Sequence, residues 1–242
     1  MFIKGIMLNR TPPGPYPFDL PAVRALRESG ELRLTTPVTF LAGDNGTGKS
    51  TLVEAVAVAA GFNPEGGSTS FNFATRASES SLGDHLVLSR VPGRRPRTGY
   101  FLRAETFYNV ATEIDNLGVT DGYGGTSLHE RSHGESFLDL ATHRFGPGGL
   151  YLLDEPEAAL SVQGCLALLM RIGELVVQGS QFIIATHSPI LLAAPDATIF
   201  EIGAAGDISR IDYDQADAVV LTRAFLANPE RFLGRLLADD AN

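Results

Sequence analysis

Residues 43–50 read Gly43-Asp44-Asn45-Gly46-Thr47-Gly48-Lys49-Ser50, a complete G-x-x-x-x-G-K-S pattern between a β-branched, apolar segment and an Ala/Leu/Glu-rich one. That placement commits the chain to a strand, a loop and a helix. Leu34 to Ala42 is predicted as a buried strand and Thr51 to Ala60 as a helix. Glycines at this spacing let successive backbone N–H groups turn inward around an anion, and the helix N-terminus beneath adds partial positive charge. The pattern therefore predicts nucleotide binding by Gly43, Asp44, Asn45, Gly46, Thr47, Gly48, Lys49, Ser50 and Thr51. Lys49 is expected to reach the β and γ phosphates, and the Ser50 hydroxyl to sit on a Mg²⁺ ion that bridges them.

With 242 residues and 44% hydrophobic content, the chain is long enough for one sizeable core, so a single domain over 1–242 is expected. A formal charge of −9 argues against a surface dominated by nucleic-acid binding, which needs clustered Lys and Arg. One local cluster runs the other way: Arg90, Arg94, Arg95, Arg97 and Arg103 fall in a Pro/Gly-containing stretch that reads as a solvated hairpin loop or a weakly supported nucleic-acid contact. The single cysteine, Cys165, excludes an internal disulfide framework and reads as a packed helix residue in a reducing compartment. No run approaches the roughly 20 apolar residues of a membrane span, so a soluble, cytoplasmic protein without direct membrane insertion is expected.

Residues 1 to 9 look like a first strand, followed by a Pro-rich loop and a short helix near Leu20 to Ser29. Strand-like segments follow at His85 to Arg90 and Thr98 to Arg103, and a helix is predicted from about Gly134 to Phe145. From 146 to 203 strands and helices alternate, the pattern of a mostly parallel central sheet in a three-layer α/β sandwich. Ala204 to Tyr213 resembles a terminal hairpin, and Ala216 to Leu237 two helices with Pro229 opening the second. Phe225, Leu226, Phe232, Leu233, Leu236 and Leu237 make an apolar face expected to cover the core, with a partner-docking surface as the alternative.

Two further segments carry chemistry. Leu150-Tyr151-Leu152-Leu153-Asp154-Glu155 is an apolar strand ending in two carboxylates with separate tasks: Asp154 to hold Mg²⁺, Glu155 to orient or deprotonate an attacking water. Phe182 to Ser188 forms another β-branched strand that delivers His187 at its C-terminal end, where ligands bind in doubly wound sheets. Following a phosphate loop and an Asp-Glu strand, His187 reads as a γ-phosphate contact that helps position the water.

In this order the residues resemble the ATP-binding-cassette class of P-loop ATPases, especially its soluble SMC-like members related to chromosome-maintenance and DNA-repair ATPases, here without coiled-coil arms. Ser132-His133-Gly134-Glu135-Ser136 looks like the family signature before its helix, and Glu157-Ala158-Ala159-Leu160-Ser161 like the loop that the family places across its dimer interface. The resemblance spans roughly residues 34 to 203. It implies a head with an antiparallel β portion and a small helical lobe at about 104–146, ATP and Mg²⁺ as ligands, and an ATP-dependent homodimer. In such a dimer Ser132, Gly134 and Glu135 would complete the nucleotide site of the partner copy.

The sequence departs from the family pattern at two places. No glutamine precedes Gln163, so Glu105 is the expected substitute for the family's metal- and water-contacting glutamine; the signature also carries His133 and Glu135 where Gly and Gln are usual. Tyr16 and Phe18 are candidates for stacking on the base or for simple packing. The function these residues imply is Mg²⁺-dependent ATP hydrolysis with ATP-driven head-to-tail homodimerisation as a switch. The alternatives are an ATPase subunit of a transporter with an unidentified protein partner, a nucleic-acid repair or phage-defence ATPase, and a non-hydrolysing nucleotide-gated binding module.

Overall fold

β-Branched and aromatic runs supply the strands, and stretches rich in Ala and Leu supply the helices around them. A computed structural model describes residues 1–9, 16–68, 81–105, 107, 112 and 133–239. In chain order the elements are β1 (Ile3–Leu8), α1 (Pro21–Ser29), β2 (Leu32–Arg33), β3 (Val38–Ala42), α2 (Lys49–Ala60), β4 (Leu86–Arg90) and β5 (Thr98–Arg103). They continue with α3 (His133–Arg144), β6 (Gly149–Asp154), α4 (Val162–Val177), β7 (Gln181–Ala185), β8 (Thr198–Ile202), β9 (Ile208–Ile211), α5 (Asp217–Ala227) and α6 (Pro229–Asp239).

Six strands form one sheet in the order β5-β6-β7-β3-β8-β9, and three form a second in the order β2-β1-β4. Every pairing in the large sheet is parallel except β8 with β9, and the small sheet is antiparallel. β3, β6 and β7 are buried along their whole length, as expected of parallel strands covered on both faces. Side-chain alternation divides their residues between two cores. Phe40, Tyr151, Leu153, Phe182 and Ile184 pack with α3 and α4, where Cys165 is also buried. Leu41, Leu150, Leu152 and Ile183 pack on the other face with α1, α2 and β1. This is the three-layer α/β arrangement, with an antiparallel portion beside the parallel sheet.

The two sheets are stitched by one side chain. Gln181, fully buried at the start of β7, accepts the backbone N–H groups of Phe2 and Ile3 at 2.6 and 2.9 Å and donates to the Ile3 carbonyl at 2.7 Å. A buried amide that satisfies backbone groups on a second sheet fixes that sheet in place.

Two expectations are corrected here. The strand expected over Leu34 to Ala42 is confined to Val38–Ala42, because β2 ends at Arg33 in the other sheet and Pro37 offers no N–H and disfavours regular pairing around it. The C-terminal apolar face does not cover the core: Leu226, Leu233, Leu236 and Leu237 are exposed. Phe225 and Phe232 instead meet edge to face at 5.7 Å, joining α5 to α6, while on α5 only Val219 is buried. The described part of the expected 104–146 lobe is α3 and a few residues after β5; Ser132 and the Pro-rich loop at 10–15 lie outside the described residues. No described helix is long and apolar enough to cross a membrane.

Candidate functional site

The C-terminal ends of β3, β5, β6 and β7 lie side by side. Strand register sets Arg103 opposite Asp154, Asp154 opposite Ala185, and Ala185 opposite Leu41. The loop 43–48 therefore leaves the sheet at the edge where the Asp154-Glu155 pair and His187 emerge. Its geometry needs glycine at two points: Gly43, at φ 132°, would drive a Cβ into the Ile202 carbonyl oxygen, and Gly48, at φ 92°, caps α2 in the left-handed region against Leu20. α1 braces the loop from beneath, since the Ala22 N–H donates to the Thr47 carbonyl at 2.9 Å.

Lys49 is buried, and its Nζ donates to the Asp44 carbonyl at 2.8 Å, an acceptor it shares with the Thr47 hydroxyl at 2.8 Å. Burial lowers its pKa, opposed by the carboxylates of Glu155, Asp154, Asp44 and Glu157. A cavity of about 300 Å³ is lined by Asn45, Gly46, Gly48, Lys49, Ser50 and Thr51 from the loop and α2, by Leu20, and by Glu105 and Glu155. A larger one, about 870 Å³, opens on the other side of the loop between Gly43, Asp44, Asn45 and His187 on one wall and α5 on the other. Tyr16, 65% exposed, and Phe18, packed edge to face on His85 at 5.3 Å, line neither.

Asp154 closes the buried side of the site. Desolvation pushes its carboxyl up to about 6, against the pull of the Ser50 hydroxyl and the Arg103 guanidinium. Arg103, whose side chain is 18% exposed, spans three carboxylates: Glu54 at 2.7 Å, Asp154 Oδ2 at 3.4 Å and Glu105 at 3.8 Å. It thus leaves the basic loop expected at 90–103, in which Arg90, Arg94, Arg95 and Arg97 are exposed. Asp154 Oδ1 is buried without a geometrically sound hydrogen bond. A desolvated carboxylate oxygen left over beside a serine hydroxyl is a donor set that suits a hard divalent cation. Among the described residues no group of three His, Cys, Asp or Glu is arranged to cage a metal.

Glu155 is the first residue past β6. Its N–H still pairs with the Ala185 carbonyl at 3.0 Å, but its backbone turns left-handed at φ 46°, a strained setting for a residue with a Cβ. Its carboxylate is 30% exposed and stands 3.9 Å from His187 Nδ1. Glu157 comes closer still. One oxygen, Oε1, accepts from the Thr186 hydroxyl at 2.6 Å and from the His187 N–H at 2.8 Å, and lies 3.3 Å from His187 Nδ1.

Gly134 and Glu135 are not brought to the Lys49 cavity. They open α3 and share a separate cavity of about 480 Å³ with Leu160, Ser161, Gln163 and Gly164 at the start of α4. The sequence reading missed Glu54 and the link from Glu157 to His187. Glu54 had a signal: it lies one helical turn after Ser50 and so shares its face of α2. Arg103 and Glu157 had none short of knowing which strands are neighbours.

Residues 20–102 match the AAA domain family model, a stretch that contains the phosphate loop and runs from α1 into β5. Among curated proteins none matches the chain. Solved structures with a similar course include cbiO1 from Clostridium perfringens, part of the ABC transporter complex cbiONQ, at 16% identity, TM-score 0.49 and coverage of 98% of this chain and 100% of that one. A nucleotide-free ATP-binding cassette from an ABC transporter matches at 15% identity and TM-score 0.48 over 95% and 97% of the two chains. The SMC head domain from Thermotoga maritima matches at 16% identity and TM-score 0.43 over 87% and 98%. The chain thus has an α/β fold in which a phosphate loop joins β3 to α2 of a mostly parallel sheet, and its residues 20–102 are similar to the AAA domain family.

Proposed function

We propose that the protein binds ATP with Mg²⁺ at the 43–51 loop, hydrolyses it, and uses the ATP-bound state to join two copies head to tail as a switch. The observation that carries this reading is that Asp154 and Glu155 at the end of β6, and His187 just past β7, lie beside the phosphate loop whose Lys49 opens α2. In that arrangement the loop N–H groups and Lys49 bind the β and γ phosphates. Ser50 and Asp154 would hold the cation, with Glu105 at the cavity rim as a further oxygen donor; such an ion would supply positive charge to offset that of the phosphates. Glu155, more solvated than Asp154, accepts the proton of the attacking water, and His187 orients that water and the γ phosphate.

The dimer half of the proposal rests on separation. Gly134 and Glu135 do not line the Lys49 cavity and open a helix N-terminus elsewhere, which supports their acting on a nucleotide bound by a second copy. A different protein partner is the second reading, favoured by the exposed Leu226, Leu233, Leu236 and Leu237 on α5 and α6. Light scattering of Glu155→Gln with and without MgATP tests the first. An ATP-dependent dimer that Ser132→Arg abolishes is expected, and a monomer at saturating MgATP overturns the dimer. Absence of phosphate release by the unsubstituted protein overturns hydrolysis and leaves a nucleotide-gated binding module.

A further inference from the structure

Past the end of β7 the chain must present an imidazole with precision while running out of sheet to hold it. Thr186 is fully buried and its N–H donates to the Leu41 carbonyl at 3.1 Å, so the backbone is anchored up to that residue. His187 is the next residue, and its side chain is half exposed. A ring on a loop with free χ1 and χ2 cannot hold a reacting group to the few tenths of an ångström that catalysis requires unless another side chain fixes it.

Glu157 is placed to do that. It sits in the turn Pro156–Ala159 directly after the Asp154-Glu155 pair, a turn closed by the Ala158 N–H on the Glu155 carbonyl at 3.0 Å and the Leu160 N–H on the Glu157 carbonyl at 3.2 Å. Its carboxylate, 10% exposed, reaches across to the β7 exit and takes the Thr186 hydroxyl, the His187 N–H and the neighbourhood of Nδ1 on one oxygen. The second oxygen, Oε2, is buried without a hydrogen bond among the described residues. The hydroxyl and the backbone N–H need only a neutral acceptor, such as the Gln side chain supplies. A buried negative charge is costly, and these two contacts do not require it. The neighbours that respond to the charge are the imidazole, at 3.3 Å, and Lys49, whose charged form it favours.

We propose that Glu157 is a positioning residue for His187, holding Nδ1 as the protonated nitrogen so that Nε2 is the one presented to the cavity shared with Gly43, Asp44 and Asn45. Nδ1 stands 3.3 Å from Oε1, within ion-pair range; a carboxylate only accepts, so the ring nitrogen nearest it is the one favoured to carry the proton, which leaves the other as the acceptor. The carboxylate next to the phosphate loop is thereby divided in role from Glu155: one works on the water, the other on the ring that orients it. This inference rests on the ATPase reading for its kinetic consequence, though not for its tautomer.

The test uses the full chain with MgATP and the variants Glu157→Gln, His187→Ala and the pair. Gln keeps an acceptor for Thr186 and the His187 N–H, so the fold is retained while the charge is removed. Glu157→Gln is expected to lower kcat by about 10- to 100-fold with KM within about twofold, and to add less than about twofold in the His187→Ala background. Losses that multiply in the double variant overturn the proposal, because Glu157 then acts on something other than the ring. Nitrogen-15 spectra of the imidazoles provide the readout without activity: the chain has five histidines, and His187 is the signal that His187→Ala removes. An Nδ1–H ring in the unsubstituted protein that shifts toward Nε2–H in Glu157→Leu, which offers no acceptor, supports the proposal, and an Nδ1–H ring that persists in Glu157→Leu overturns it. An Nε2–H ring in the unsubstituted protein overturns it. If no ATP is hydrolysed, the ATPase reading fails and the spectra alone decide.

Discussion

Asp154 and Glu155 are neighbours in the chain and belong to different environments. Asp154 ends the strand in register, faces α2, and is held in a buried cluster with Arg103 and Glu54. Glu155 has left the register through a left-handed turn and belongs to the rim with Glu157 and His187. Two identical charges are thus given different chemistry by where the strand stops. The buried one is raised toward protonation and suited to a cation; the rim one is 30% exposed and faces the imidazole.

The contrast is most exposed to failure in the rate. Glu155→Gln should lower steady-state phosphate release by about 10²- to 10⁴-fold while nucleotide affinity, read by equilibrium binding, stays within severalfold. A variant that hydrolyses at the normal rate would move the base elsewhere on the rim.

Removing the cation from the buried cluster tests its other half. Arg103→Met takes the guanidinium from Glu54 and Asp154 and should cost about 3–5 kcal/mol in urea unfolding, whereas breaking a rim contact should cost far less. A loss under about 1 kcal/mol would mean that water reaches the cluster and that the two regions are less distinct than their burial indicates.

The raised carboxyl gives the contrast a pH signature. The folded chain keeps the Asp154 proton up to about pH 6, while an unfolded chain releases it near 3.8, as an ordinary aspartate does. Protonated Asp154 therefore adds stability that is complete below pH 3.8 and lost as pH rises to about 6, on the order of 2–3 kcal/mol without metal or nucleotide. Asp154→Asn carries no such term, so its advantage over the unsubstituted protein should grow between about pH 4 and pH 6 and then level off. Parallel stability curves would remove Asp154 from the buried set.

The smallest effect belongs to the residue that touches both regions. Glu105 is 83% exposed and only 3.8 Å from Arg103, so Glu105→Gln should change stability by less than about 0.5 kcal/mol. A larger shift in unfolding would place Glu105 inside the cluster.

What the sequence disclosed was local. The phosphate loop, the strands at Thr98–Arg103 and Gly149–Asp154 and the helix break at Asn228 are written in contiguous patterns of glycine, β-branched residues and proline. The Arg103–Glu54 pair is not, since it joins residues 49 positions apart and follows from β5 lying next to β6 and from which face each strand turns to α2. The leucines of α6 show the opposite limit. Their amphipathic spacing was legible, but the surface they face is set by how far the helix pair reaches past the sheet, which spacing does not encode.

Gln181 gives strand β7 two ends with different attachments. Its first residue is clamped to the backbone of Phe2 and Ile3, and the strand stops two positions before His187. A packed strand resists stretching, so it behaves as a push-rod about five residues long. The small sheet and the imidazole are thus fastened to opposite ends of the same strand, one through the Gln181 amide and the other two residues beyond Ala185.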